Sequence, residues 1–122
     1  MQAQIVIWGV AFAFAGMGLM ALLKPASIGN YFDVRFESVD GRNEVRAVYG
    51  GFGIAMALAL CLATQQPEYR AGVVLCVAFA LAGMAAGRLL SALIERPGFW
   101  PWFFCGVEAG GAGLLYWSLQ AA

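Results

Sequence analysis

Four apolar runs, at residues 5–23, 45–64, 71–94 and 99–119, constrain this chain more than any other feature. Each is close to the roughly 20 residues that a helix needs to cross the hydrocarbon core of a bilayer. A spanning segment meets no water that could satisfy its backbone N–H and C=O groups, so each run must be helical. Composition agrees: 62% of the 122 residues are apolar and only 11% are charged, and a water-soluble fold of this size could not hide so much apolar surface. The expected fold is all-α, an integral membrane four-helix up-and-down bundle making one transmembrane domain over residues 1–122.

The punctuation between the runs fits this division. Lys24 and Pro25 end the first; Gln65, Gln66, Pro67 and Glu68 separate the second from the third; Glu95, Arg96, Pro97 and Gly98 turn the chain into the fourth. Links this short force antiparallel neighbours. No Lys or Arg precedes the first run, and its apolar stretch exceeds that of a secretory signal, so it is read as a retained helix. Lys24, Arg35, Arg42, Arg46, Arg88 and Arg96 belong to the side holding the first and third loops, against Arg70 alone opposite. By the positive-inside bias, both termini are expected outside the cytoplasm of a bacterial inner membrane. Aromatics mark the boundaries, with Phe99, Trp100, Trp102, Phe103 and Phe104 at one interface and Tyr116 and Trp117 at the other.

Residues 24–42 are the one sizeable extramembrane piece, expected as an interfacial cytoplasmic loop. Ile28, Tyr31, Phe32, Arg35, Phe36 and Val39 recur at helical spacing, yet Phe32, Val34 and Phe36 also alternate as in a strand, and periodicity leaves both open.

Several chemistries are excluded or unsupported. Seven basic residues balance seven acidic ones, which gives nucleic acid nothing to bind. The absence of histidine removes the usual haem ligand and the commonest zinc ligand, so neither a metal nor a cofactor is expected. Cys61, Cys76 and Cys105 form no CxxC pair and read as small packing residues, although Cys61 and Cys76 fall near one membrane face where a disulfide would be feasible. No serine, lysine or cysteine has a base in register, so no catalytic residue is assigned and a non-enzymatic role is favoured.

Lipid tails are as apolar as leucine, so helices in a bilayer associate through close backbone packing at small residues. Small residues at four-residue spacing occur in every run: Gly9 and Ala13; Gly51, Ala55 and Ala59 with Gly53 and Ala57; Ala78, Ala82 and Ala86 with Gly83 and Gly87; Gly106 and Gly110 with Ala109 and Gly113. These faces are expected to pack the bundle, or to meet a second copy or a larger membrane complex.

Glu108 is the most informative residue, because it sits near the middle of the fourth run, where a charge is costly and is by default a functional candidate. Counting from the turn at Arg96 and Pro97 places Arg88 within roughly 5 Å of it in depth, at 1.5 Å per residue. Glu44, Arg46, Tyr49, Ser91 and Glu95 lie toward the same side, so a polar network of Glu44, Arg46, Arg88, Ser91, Glu95 and Glu108 is expected there. The plainest account is an ion pair that locks the third helix to the fourth, while Arg46 and Glu95 reach the interface. The functional alternative is a site for a lipid or other small amphiphile, its head on Arg46 and Arg88 and its tail beside Tyr49, Phe52 and Met56. Proton coupling through Glu108 is a further option.

The segment running from Gly41, Arg42, Asn43 and Glu44 through Arg46 and Tyr49 to Gly50 and Gly51, then Gly87, Arg88 and Ser91, and finally Glu108, resembles a group of small bacterial membrane proteins, the domain-of-unknown-function family 4345. The resemblance covers most of the chain. It implies a four-helix inner-membrane protein in which Asn43, Glu44, Arg46, Gly50, Gly51, Gly87, Arg88 and Glu108 match the family pattern, and it supplies no activity, substrate or cofactor. Three roles follow in order: binding or moving a small hydrophobic or amphiphilic molecule; serving as an accessory subunit of a larger membrane complex; and acting as an intramembrane enzyme through Glu108.

Overall fold

Helix punctuation in the sequence becomes capping geometry in the computed structural model, which describes residues 1–121. Helix α1 (Gln2–Leu23) stops where Lys24 leaves helical backbone and its N–H closes on the Met20 carbonyl. Pro25, with its fixed φ and no N–H to leave unpaired, then opens α2 (Pro25–Phe32) at once. Asp33 ends α2 in the left-handed region (φ 57°), and the Val34 N–H returns 3.0 Å to the Gly29 carbonyl. Gly29 is required there, since a Cβ would collide with the Val34 carbonyl oxygen and lie 2.7 Å from the Phe36 ring. Ser38 caps α3 (Val39–Val45) by accepting from the Gly41 N–H at 2.9 Å.

Helix α3 passes through a π-helical stretch (Arg46–Gly51) into α4 (Phe52–Gln65), giving one unbroken helix over Val39–Gln65. Val45 and Gly50 are both buried although five residues apart. An α-helix would turn them to different faces, whereas i→i+5 bonding aligns them on one. After Gln66 come α5 (Pro67–Ile94) and, beyond the turn at residues 95–98, α6 (Phe99–Ala121).

The chain is therefore all-α, but with Val39–Gln65 taken as one helix the count is five rather than four. The expected loop at 24–42 contains α2 and the start of α3, because Pro25 and Ser38 each begin a helix there. The third apolar helix likewise starts at Pro67 rather than 71. Among the described residues, three helices are long and apolar enough to cross a membrane: Gln2–Leu23, Val39–Gln65 and Pro67–Ile94. Helix α6 equals them in length, yet its glycines, its Trp and Tyr residues and Glu108 dilute its hydropathy.

Apolar side chains cover both the inside and the outside. Ile7, Ala11 and Phe14 of α1 meet Ala57 and Leu60 of α4, Val74 and Leu81 of α5, and Leu115 of α6 in the main core. A smaller cluster of Ala21, Ile28 and Val45, joined by Phe32, Phe36 and Tyr49, lies beneath α2. Phe12, Leu58, Phe79 and Leu93 point outward and are largely uncovered, as lipid rather than water would favour.

Glycine sets the tightest crossing, between α1 and α4. A Cβ on Gly18 would lie 2.9 Å from the Gly50 carbonyl oxygen, and one on Gly53 would lie 3.0 Å from that of Phe14. Not every small face is used in this way, since Gly9, Gly106 and Gly110 have nothing within 4 Å of an added Cβ. Gly53→Leu should therefore destabilise the fold by about 1–3 kcal/mol through forced separation of α1 and α4. Gly9→Leu should be close to neutral. Thermal unfolding in detergent, followed by circular dichroism, checks this; equal losses for the two variants would contradict the packing described.

Candidate functional site

Glu108 projects from the middle of α6 toward α5 and is only 5% exposed. A carboxylate there needs a partner, and α5 supplies one. Arg88 Nε donates to Oε2 at 2.8 Å and to Oε1 at 3.0 Å, while Nη2 donates to Oε1 at 2.8 Å. Both carboxylate oxygens are thus held by one planar guanidinium, an arrangement that a lysine ammonium could not reproduce. Among the described residues this is the one side-chain ion pair, and no buried side-chain nitrogen or oxygen lacks a hydrogen-bond partner.

Two aromatic rings complete the surroundings of the cation. The Arg88 Cζ lies 5.5 Å from the ring centre of Phe32 on α2 and 5.7 Å from that of Phe104 on α6. Tyr31 meets Trp100 edge-on at 4.8 Å and Phe104 at 5.5 Å, and Phe32 meets Phe104 at 5.5 Å. Helix α2 is thereby fastened to the first turns of α6, directly over the ion pair.

Arg88 nonetheless retains hydrogen-bonding capacity. A guanidinium carries five N–H groups. Nε–H and one hydrogen of Nη2 are spent on Glu108, and neither Nη1 hydrogen has an acceptor among the described residues. The Arg88 side chain is 26% exposed and borders an opening of about 440 Å³ with Met84, Gly87, Ser91, Pro97 and Pro101. On the Glu108 side lies an apolar groove of about 540 Å³ between α1 and α6, floored by Leu81 of α5. Gly9 and Ala13 line one wall, Gly106, Gly110 and Leu114 the other, and Phe104 also borders it. Met84 borders both the groove and the opening, with Arg88 lining the opening and Glu108 the groove.

The residues expected from sequence separate into two groups. Arg88 and Glu108 are joined and Ser91 borders the same opening, while Tyr49 is half-buried against the smaller cluster of Ala21, Ile28 and Val45. Arg46 instead turns to α1, where its Nε donates 3.3 Å to the Leu22 carbonyl. Glu44 and Glu95 are exposed and make no side-chain hydrogen bond. Phe52 is exposed and Met56 packs on the main core, so the apolar space lies along α1 and α6 rather than beside Tyr49, Phe52 and Met56. Cys61, Cys76 and Cys105 are all free thiols.

Sequence reasoning missed Phe32, Phe104 and the groove. Phe104 stands one helical turn before Glu108, a spacing that could have announced it. Gly9 with Ala13 and Gly106 with Gly110 were visible as small faces, but read as helix contacts rather than as open walls. A family model described as domain of unknown function (DUF4345) matches residues 2–119. No curated protein and no solved structure matches the chain.

Removing one member of a buried pair strands the other, whereas removing both does not. Glu108→Leu should cost about 3–5 kcal/mol of stability, and the Arg88→Leu, Glu108→Leu double variant clearly less. Denaturant titration in detergent measures both. A double variant no more stable than the single one would mean that the two charges do not depend on each other.

Proposed function

The chain belongs to the DUF4345 family, and from that premise we propose that it binds or moves a small hydrophobic or amphiphilic molecule within a bundle of four membrane crossings. Helix α6 supplies the fourth crossing in this reading. It packs closely along α5, and its 23 residues match the span of a bilayer. The excess of basic residues beside α2, α3 and the turn at residues 95–98 supports a bacterial inner-membrane location with both termini outside the cytoplasm.

The groove between α1 and α6, lined by Glu108 of the Arg88–Glu108 pair, carries the reading. Its walls are apolar and kept low by Gly9, Ala13, Gly106 and Gly110, which suits an extended tail. At the neighbouring opening Arg88 keeps N–H groups that Glu108 does not use, which suits a head group. The polar end is thus narrower than the sequence suggests, with Arg88 and Ser91 in place and Arg46 engaged elsewhere.

The same open walls favour a second reading, in which a transmembrane helix of a larger complex lies in the groove and the protein is an accessory subunit. Native mass spectrometry of gently extracted protein separates the two. Wild type should carry a small hydrophobic molecule that a Gly9→Leu, Gly110→Leu variant, filled at both walls yet still folded, has lost. An empty wild type accompanied by other subunits, released by the filled variant, would replace the first reading with the second. A carboxy-terminal reporter fusion should report a location outside the cytoplasm, and a cytoplasmic signal would reverse the proposed topology.

A further inference from the structure

The residues around the opening are informative about the head group that could sit there, and this inference rests on the amphiphile reading above. Of the six lining residues, only Arg88 and Ser91 have side chains that can donate a hydrogen bond. Gly87 has no side chain, Pro97 and Pro101 have neither a backbone N–H nor a polar side chain, and Met84 offers only a thioether. No acidic side chain lines the opening, so a head group meets donors and almost no competing acceptor.

Charge narrows the choice. Arg88 and Glu108 neutralise each other at 2.8 Å, so the site has no net charge to offer. An anionic head drawn to Arg88 would bring a second negative charge close to the buried Glu108 carboxylate, in surroundings where like charges repel strongly. A cationic head would meet only donors beside an arginine. A neutral acceptor adds no charge and uses the N–H groups that Glu108 leaves free.

The geometry points to a neutral, carbonyl-bearing apolar molecule, of the ester, ketone or quinone type, whose oxygen accepts from the free N–H groups of Arg88 and from the Ser91 hydroxyl while its tail lies in the α1–α6 groove. Glu108 is then a positioning residue. It fixes the plane of the guanidinium beside Phe32 and Phe104, where Arg88 borders the opening. Ser91 stands three residues beyond Arg88, on the same helical face and within the same opening.

The test holds the tail constant and varies the head. Wild-type protein in detergent is offered methyl dodecanoate, dodecanoate, dodecylammonium or dodecane at equal mole fraction in the micelle, and retention is read by native mass spectrometry. Methyl dodecanoate should be retained about tenfold more than each of the others, the ratio expected of one or two hydrogen bonds to a charged donor. Arg88→Lys keeps the charge but loses the planar fork, so it should abolish that preference. Circular dichroism confirms that the variant is folded. Preference for dodecanoate or dodecylammonium would overturn the neutral head, and equal retention of ester and alkane would overturn head recognition altogether. Each of those results leaves the amphiphile reading standing. Wild type that retains none of the four would remove both.

Discussion

A carboxylate placed half-way along an apolar helix must be answered within reach of its own oxygens, because lipid offers no solvation and water is excluded. Glu108 is answered by Arg88, and much of the architecture around them follows. The bidentate geometry fixes how α5 and α6 are rotated against each other, a property that apolar packing alone leaves soft. The guanidinium, lying beside the Phe32 and Phe104 rings, helps give the short helix α2 a defined seat. One pair of charges therefore helps organise α2, α5 and α6.

Two kinds of small-residue surface coexist in the bundle, and their difference organises the site. Where α1 crosses α4, Gly18, Gly50 and Gly53 let backbones nearly touch, so that crossing has no room for anything else. Where α1 faces α6, Gly9, Ala13, Gly106 and Gly110 are equally small but stand apart, leaving a trough whose shape is set by missing side chains. In a membrane such a trough does not stay empty, because acyl chains or another helix will fill it. The proposed function depends on which of these occupies it.

Much of this was legible in the residues themselves. Proline and glycine punctuation at Pro25, Pro67 and Gly98 located the helix ends, and counting back and forward from the turn at Arg96 brought Arg88 to the depth of Glu108. Other features left no clear mark. The π-helical stretch at Arg46–Gly51 has no compositional signature, yet it decides which side chains of that helix face α1, and with them the partner of Arg46. Residues 24–42 carried both a helical and a strand-like spacing, and Pro25 and Ser38 start helices at 25–32 and from 39, while residues 33–38 between them are neither helix nor strand. The groove was hidden because a small residue that packs and one that leaves space look identical in a sequence. Only the crossing of the helices, fixed by contacts distant along the chain, tells them apart.

The aromatic seat of α2 has a consequence for how the protein is made. Tyr31 and Phe32 leave the ribosome early, but their partners Trp100 and Phe104 belong to the final helix. Throughout synthesis of the intervening segments α2 can rest only on the cluster it forms with Ala21 and Val45, while α1 and α4 can already close their glycine crossing. Arg88 faces the same delay, since a lone cation in α5 is costly in lipid until Glu108 arrives. The short turn at residues 95–98 resolves this by making α5 and α6 enter as one hairpin with its charges already cancelled. The aromatic part of the α2 seat and the Arg88–Glu108 pair thus both wait on α6.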